Sequence, residues 1–286
     1  MCNDESATFP TTLGAAPGPR DWNLEAMQQG LTVLDTADDL ARSAAETLVR
    51  FARESIERRG RFVIALSGGS TPERLYRVLA GEPRFRDAVP WSGVHVCWGD
   101  ERHVPPAHRD SNYRMAREAL LDHVPIPAVQ VHRIASECAD PASAAAAYEV
   151  TLRGVFDLGE GEFPSFDLLL LGMGADGHTA SLFPGSPALR ERMRLVVAPW
   201  VETLGTYRIT LTMPVLTSAG RTLLLVAGQE KAAALREVFE GPHLPERLPV
   251  QCLRESRGVV TWLADRAAAS ALTSSLRRAP PAQEQP

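Results

Sequence analysis

The sequence predicts an α/β fold: a doubly wound, mainly parallel sheet flanked by helices, filling one region from about residue 21 to 276. Three observations carry that prediction. Short apolar runs of strand type alternate with stretches of helical periodicity, the pattern of successive β-α units. Three of the runs end in loops rich in glycine or charge, where parallel sheets place their ligands. The chain has 286 residues, 44% of them hydrophobic and 23% charged, enough to bury a substantial core.

Taken in order, residues 1–20 are rich in Thr, Ala, Gly and Pro without periodicity and read as a disordered tail, as do the polar, Pro-rich residues 277–286. From Thr36 to Arg59 apolar residues recur at helical spacing (Leu40, Ala44, Leu48, Phe51, Ala52), and Gly60 supplies a helix stop. Arg61 to Leu66 is a strand of buried type, Ser67 to Thr71 a loop, and Pro72 to Ala80 a helix with proline at its first position. A second strand spans Val94 to Trp98, followed by a charged loop from Gly99 to Pro105 and a helix from Asn112 to Leu121. Phe166 to Leu171 is the strongest strand, and it leads into a glycine-rich loop, Gly172 to Thr179. Further strands are expected at Leu195 to Ala198, Arg208 to Thr212, Leu223 to Val226 and Val259 to Leu263.

Composition excludes several classes of partner. A formal net charge of −5 with an isoelectric point near 5.8 leaves no electrostatic footprint for nucleic acid or an anionic membrane. No apolar run approaches the ~20 residues of a membrane span, and the N-terminus lacks the pattern of a signal peptide, so a cytoplasmic protein is expected. Cys2, Cys97, Cys138 and Cys252 are scattered without a Cys-x-x-Cys pair and read as plain thiols.

Each of the three loops has a chemistry. Gly68, Gly69, Ser70 and Thr71, leading into a helix, present backbone N–H groups, hydroxyls and a helix N-terminus to one point, a ready anion site; an ordinary capped turn would give the same pattern. The Walker pattern is absent, and neither Ser67 nor Ser70 has both glycines of a nucleophile elbow. Gly172, Gly174 and Gly177 match the spacing of a dinucleotide fingerprint, but Pro184 interrupts the helix such a motif must open, and no acidic ribose ligand follows the next strand. The informative residues are Asp176 and His178, a carboxylate and an imidazole placed for proton transfer near neutral pH, although a lone surface histidine is the commoner arrangement. In Asp100-Glu-Arg-His103, Arg102 has the paired donors to clamp phosphate oxygens, and a solvated charged turn is the plain alternative. His103, His108 and Asp110 fit no familiar ligand spacing, so no metal is expected.

Together, Ala65-Leu-Ser-Gly-Gly-Ser-Thr-Pro72, Trp98-Gly-Asp-Glu-Arg-His-Val-Pro105 with Ser111-Asn-Tyr113, and Leu171-Gly-Met-Gly-Ala-Asp-Gly-His-Thr-Ala-Ser-Leu-Phe-Pro184 resemble the 6-phosphogluconolactonase family. The resemblance runs in order from about Leu31 to Leu263 and includes Tyr207 to Pro214 and Val226 to Leu235. It implies a Rossmann-like sheet, hydrolysis of 6-phosphogluconolactone as the second step of the oxidative pentose phosphate pathway, and no nucleotide, metal or other cofactor. It further implies His178 as the base that activates water, Asp176 as its supporting carboxylate, and Gly68, Gly69, Ser70, Thr71, Asp100, Arg102, Arg208 and Lys231 as binders of phosphate and sugar. The expected partner is a small sugar-phosphate lactone, handled by a monomer or small homo-oligomer. Two rivals are weaker. An amino-sugar phosphate deaminase/isomerase needs an extra carboxylate shortly after the histidine, where this chain reads Thr-Ala-Ser-Leu-Phe-Pro. A non-catalytic sugar-phosphate sensor would not need the Asp176 and His178 pair.

Overall fold

Thr36 opens the first long helix by accepting a hydrogen bond from the Asp39 N–H at 3.1 Å, and Gly60 closes it in the left-handed region at φ 73°. The computed structural model describes residues 30–276; the tails expected at 1–20 and 277–286, and Cys2, lie outside the described residues. The chain begins with β1 (Leu31–Leu34) and continues through helix α1 (Ala37–Arg59), whose five periodic apolar residues are all buried, to β2 (Phe62–Leu66). There follow α2 (Ser70–Gly81), the short α3 (Pro83–Arg86), β3 (Val94–Trp98), β4 (Asp100–Arg102) and α4 (Asn112–Ala119). The middle of the chain supplies α5 (Pro141–Phe156), β5 (Leu168–Gly172), β6 (Val196–Val197), β7 (Trp200–Val201) and β8 (Thr206–Leu211). It ends with α6 (Met213–Ser218), β9 (Arg221–Val226), α7 (Ala232–Glu240) and β10 (Val259–Asp265).

Six strands form one wholly parallel sheet in the order β1-β10-β9-β5-β2-β3. All five residues of β2 and the four leucines of β5 are buried, as strands covered on both faces require. The chain leaving β2 moves to β3 at one edge, whereas the chain leaving β5 moves through β9 to β10 on the other side. The carboxyl ends of β2 and β5 therefore sit side by side at the point where the winding reverses, and a crevice opens there.

Two expectations are corrected. The charged segment at Asp100 to Arg102 is a strand rather than a loop, and it pairs antiparallel with β8 in a second, small sheet with β6 and β7. Gly99 joins the two sheets: its N–H donates to Leu66 O at 2.9 Å and its carbonyl accepts from Leu211 N–H at 2.9 Å. Helix α2 also starts earlier than its proline suggested. Gly69 at φ 102° starts the first turn, and Pro72 is tolerated inside it because the first turn of a helix lacks partners for its N–H groups. Helices α5 and α7 add to the expected elements; α7 buries Ala234, Leu235, Val238 and Phe239 at helical spacing. In α5 alanines occupy buried and exposed faces alike, and Asp140 caps it by accepting from Ala142 and Ser143 N–H.

Candidate active site

The loops after β2 and β5, the β4–β8 pair and the turn after β9 enclose a cavity of about 610 Å³ outside the carboxyl ends of the parallel strands. Gly68, Gly69, Ser70, Thr71, Asp100, Arg102, Asp176, His178, Arg208 and Lys231 all line it. Residues more than 160 positions apart in sequence thus reach one volume, of a size that suits a small ligand.

After β5 the chain closes a tight turn. Gly174 N–H donates to His178 O at 2.8 Å, and Gly177, at φ 80°, donates back to Gly174 O at 3.1 Å. A Cβ on Gly174 would overlap both the His178 imidazole and the Asp176 carboxylate, so only glycine permits this approach. No helix opens after these glycines; the next regular element is a short 3-10 turn at Pro187–Arg190, so the geometry of a dinucleotide fingerprint is not formed. The turn sets His178 Nδ1 2.6 Å from Asp176 Oδ1, which also accepts the His178 backbone N–H at 3.2 Å. Burial pushes the Asp176 carboxyl up, but the hydrogen bond and charge of His178 and the backbone donors outweigh it and hold the group below its ordinary value. An ionised Asp176 requires the proton on Nδ1, which leaves the lone pair of the neutral ring on Nε2.

After β2, no side chain caps α2, so the N–H groups of its first turn are left for the cavity. The loop is fixed from behind. Tyr76, fully buried on α2, accepts from Ser67 N–H at 3.0 Å and donates to Ser67 O at 2.8 Å. Tyr148 on α5 does the same for Trp98 at the end of β3, at 2.8 and 3.0 Å.

Arg102 and Arg208 are direct cross-strand partners in β4 and β8. Burial, then the neighbouring charge of Arg102, lower the pKa of the Arg208 guanidinium against the opposing pull of the Asp100, Glu101 and Asp110 carboxylates. Arg102 is steadied by donating to Asp110 O at 2.6 Å. Asp100 is 7% exposed, and its Oδ2 accepts from the Ser181 hydroxyl at 2.6 Å. Glu101 is turned away as a structural anchor: it accepts from Arg102, Asn112 and Tyr113 N–H and from the Ser111 hydroxyl at 2.7 to 3.0 Å, while burial raises its pKa. His103, His108 and Asp110 stay outside the cavity; His103 donates to Cys138 O, and His108 accepts from Asp110 N–H.

Five further lining residues matter that were not singled out as site residues: Asn112, Ser181, Phe183, Leu204 and Glu230. Asn112 and Phe183 stand within the motifs already quoted, but spacing alone gives no reason to aim an amide or a phenyl ring at the cavity. Ser181 and Glu230 also lie within quoted segments, Leu171 to Pro184 and Val226 to Leu235, whereas Leu204 comes from a turn that no motif marked.

Among the described residues, no group of three or more His, Cys, Asp or Glu side chains converges in a way that could hold a metal ion. Among the described residues, no helix is long and apolar enough to cross a membrane.

Residues 35–262 match the profile of the family described as glucosamine-6-phosphate isomerases/6-phosphogluconolactonase. The chain is 45% identical over 215 residues to the 6-phosphogluconolactonase of Synechocystis sp., covering 75% of this chain and 86% of that one. It superposes on the 6-phosphogluconolactonase from Trypanosoma cruzi with a TM-score of 0.76 and 32% identity, covering 85% of this chain and 96% of that one. A monomeric glucosamine-6-phosphate deaminase shares the fold alone, with a TM-score of 0.71 and 21% identity over 84% of this chain and 99% of that one. With its winding, its paired loops and its sequence in agreement along most of its length, the chain belongs to the glucosamine-6-phosphate isomerase/6-phosphogluconolactonase family.

Proposed function

We propose that this protein is a 6-phosphogluconolactonase in which His178, held by Asp176, activates the water that opens the lactone ring. The enzyme hydrolyses 6-phospho-D-glucono-1,5-lactone to 6-phospho-D-gluconate, a step of the pentose phosphate pathway. The observation that carries the reading is the 2.6 Å bond from Asp176 to His178 Nδ1 at the cavity wall, because it leaves Nε2 as the free base.

In this scheme Nε2 takes a proton as the water oxygen bonds to the C1 carbonyl carbon. Asp176 stabilises the imidazolium that results. When the tetrahedral intermediate collapses, the bond from C1 to the ring oxygen breaks, and the imidazolium returns the proton to that oxygen. A δ-lactone is an activated ester whose leaving group stays tethered, so no covalent nucleophile is needed. The 6-phosphate, remote from C1, meets the first turn of α2 together with Arg102, Arg208 and Lys231, and its binding energy orients the ring against His178. Asp100 faces the same cavity and offers an acceptor for sugar hydroxyls. In this proposal a small-molecule substrate is handled in the cytoplasm by a monomer or small homo-oligomer; the formal net charge of −5 accords with a phosphate held at a local site rather than a polyanion held on a basic surface.

The test generates the lactone in place from glucose 6-phosphate and its dehydrogenase and follows its disappearance, after subtraction of spontaneous hydrolysis. Wild-type protein accelerates the loss, and His178→Ala abolishes the acceleration while still binding 6-phosphogluconate. Equal rates with wild type, His178→Ala and no protein would defeat the proposal, and ammonia release from glucosamine 6-phosphate would then be measured.

A further inference from the structure

We infer that Phe183 is a positioning residue for His178, fixing the tilt of the imidazole that the Asp176 bond leaves free. The inference rests on His178 being the base. The covalent bond at Cγ and the hydrogen bond at Nδ1 hold two adjacent atoms of the ring; small coupled rotations of the side-chain torsions can still tilt its plane about the line through them, a motion that swings Nε2 across the cavity. A contact on the ring face is what stops it. Phe183 supplies that contact, with its ring centroid 4.3 Å from that of His178 and the planes 33° apart. Both rings line the cavity, so Phe183 also keeps solvent from one face of the imidazole while the reactive edge stays open.

The local backbone is built to deliver this contact. Directly after His178, Thr179 and Leu182 form an antiparallel bridge, with Leu182 N–H donating to Thr179 O at 3.0 Å, so the chain reverses and returns the next residue, Phe183, over the imidazole. The reversal places Ala180 at φ 48°, a left-handed conformation that is strained for a residue with a Cβ. The turn is held against that strain at three points. The Thr179 hydroxyl donates to Gly172 O at 2.9 Å, Ser181 N–H donates to the Thr210 hydroxyl at 3.2 Å, and the Ser181 hydroxyl donates to Asp100 at 2.6 Å. Strain held by several anchors beside a reacting group fits a turn whose geometry serves the site. Through the Ser181 hydroxyl the same turn also bonds Asp100, so the residue that packs on the base and an acceptor at the cavity wall are set by one turn.

The experiment compares kcat, KM and the dissociation constant for 6-phosphogluconate in wild type, Phe183→Leu, Phe183→Tyr and His178→Ala, with thermal unfolding of each. Removing the ring face in Phe183→Leu lowers kcat about 10- to 100-fold, the scale of misplacing a catalytic group by an ångström, while KM and product affinity change less than about 3-fold. Phe183→Tyr retains the ring face and keeps kcat within about 3-fold. The pH dependence of kcat shifts in Phe183→Leu and not in Phe183→Tyr, a readout that loss of packing alone does not move. If Phe183→Leu does not fold, Phe183→Met takes its place with the same expected split. Unchanged kcat in the folded Leu or Met variant, beside an inactive His178→Ala, overturns this inference and leaves the base assignment standing. An active His178→Ala overturns the base assignment itself.

Discussion

The Tyr76 hydroxyl bonds to both backbone groups of Ser67, accepting from the N–H at 3.0 Å and donating to the carbonyl at 2.8 Å. Ser67 is where β2 ends and the glycine loop begins, so a helix side chain fixes the point from which that loop departs. Tyr76→Phe leaves an N–H and a carbonyl unpaired in a fully buried position. The expected loss is about 1–3 kcal/mol, seen as a fall in Tm of several degrees. KM rises as the loop loosens, and kcat changes little because Asp176 and His178 stand on a separate turn, after β5. A Tyr76→Phe protein with wild-type Tm and KM would show that the double bond does not organise the loop.

His95 and His132 form a pair remote from the cavity, with Nδ1 of one 3.1 Å from Nε2 of the other and ring planes 5° apart. One nitrogen must donate and the other accept, so the bond needs at least one neutral ring. Burial, then the charge of Arg61, lowers the His95 pKa; burial, then the charge of His95, lowers that of His132. Folded values below the unfolded value of about 6.5 mean that the unfolded chain binds more protons in that interval. The pair's contribution is therefore complete above about pH 6.5 and is lost as pH falls through the lowered folded values. Thermal midpoints between pH 7.5 and 5 fall more steeply in wild type than in His132→Asn. Parallel curves would remove the pair as the cause.

The parallel sheet was legible because β2, β3 and β5 are short apolar runs that end in glycine or charge, a signal that needs no knowledge of the rest of the chain. The small sheet was not. Asp100 to Arg102 is too short and too charged to read as a strand, and it becomes one only because β8, over a hundred residues later, offers it a partner. Within the site the motif residues were legible by type and by their place after strands. Asn112, Phe183 and Glu230 were not, because their roles depend on what they touch: Asn112 on Gly68, Phe183 on His178, Glu230 on the cavity floor beyond β9. Helix α5 was hidden by its own alanines, which blur the difference between buried and exposed faces.

Arg102 and Arg208 face each other across β4 and β8 as like charges, an arrangement that weakens a strand pair unless an anion joins them. In the proposed function the 6-phosphate of the substrate is that anion, added to the carboxylates of Asp100, Glu101 and Asp110 that already act on Arg208. Arg208→Met is expected to raise KM for the lactone about 10- to 100-fold, corresponding to the ~1.5–3 kcal/mol of a hydrogen bond to a charged group. It also abolishes most of the rise in Tm that saturating 6-phosphogluconate gives the wild type. Thermal shift with and without the product reads both effects, and a full ligand-induced shift in Arg208→Met would take Arg208 out of the phosphate site.

Gly68 and Asn112 occupy space that only one of them can fill. A Cβ on Gly68 would overlap the Asn112 amide, which in turn donates to Asp100 O at 2.9 Å from a buried position. Gly68→Ala therefore pushes Asn112 off Asp100 and should cost about 1–3 kcal/mol of stability, the usual range for overpacking a closed site, together with most of the activity. The clash depends on the amide, so shortening it relieves the strain. Asn112→Ser alone loses the bond to Asp100 and weakens the protein modestly. Combined with Gly68→Ala, it should cost less than the sum of the two single changes by about 1 kcal/mol or more, because residues in contact couple on that scale. Unfolding free energies for the four proteins give the coupling directly. Additive losses would mean that the loop after β2 moves aside when it gains a methyl group, and that the contact between these two residues does not set its position over the cavity.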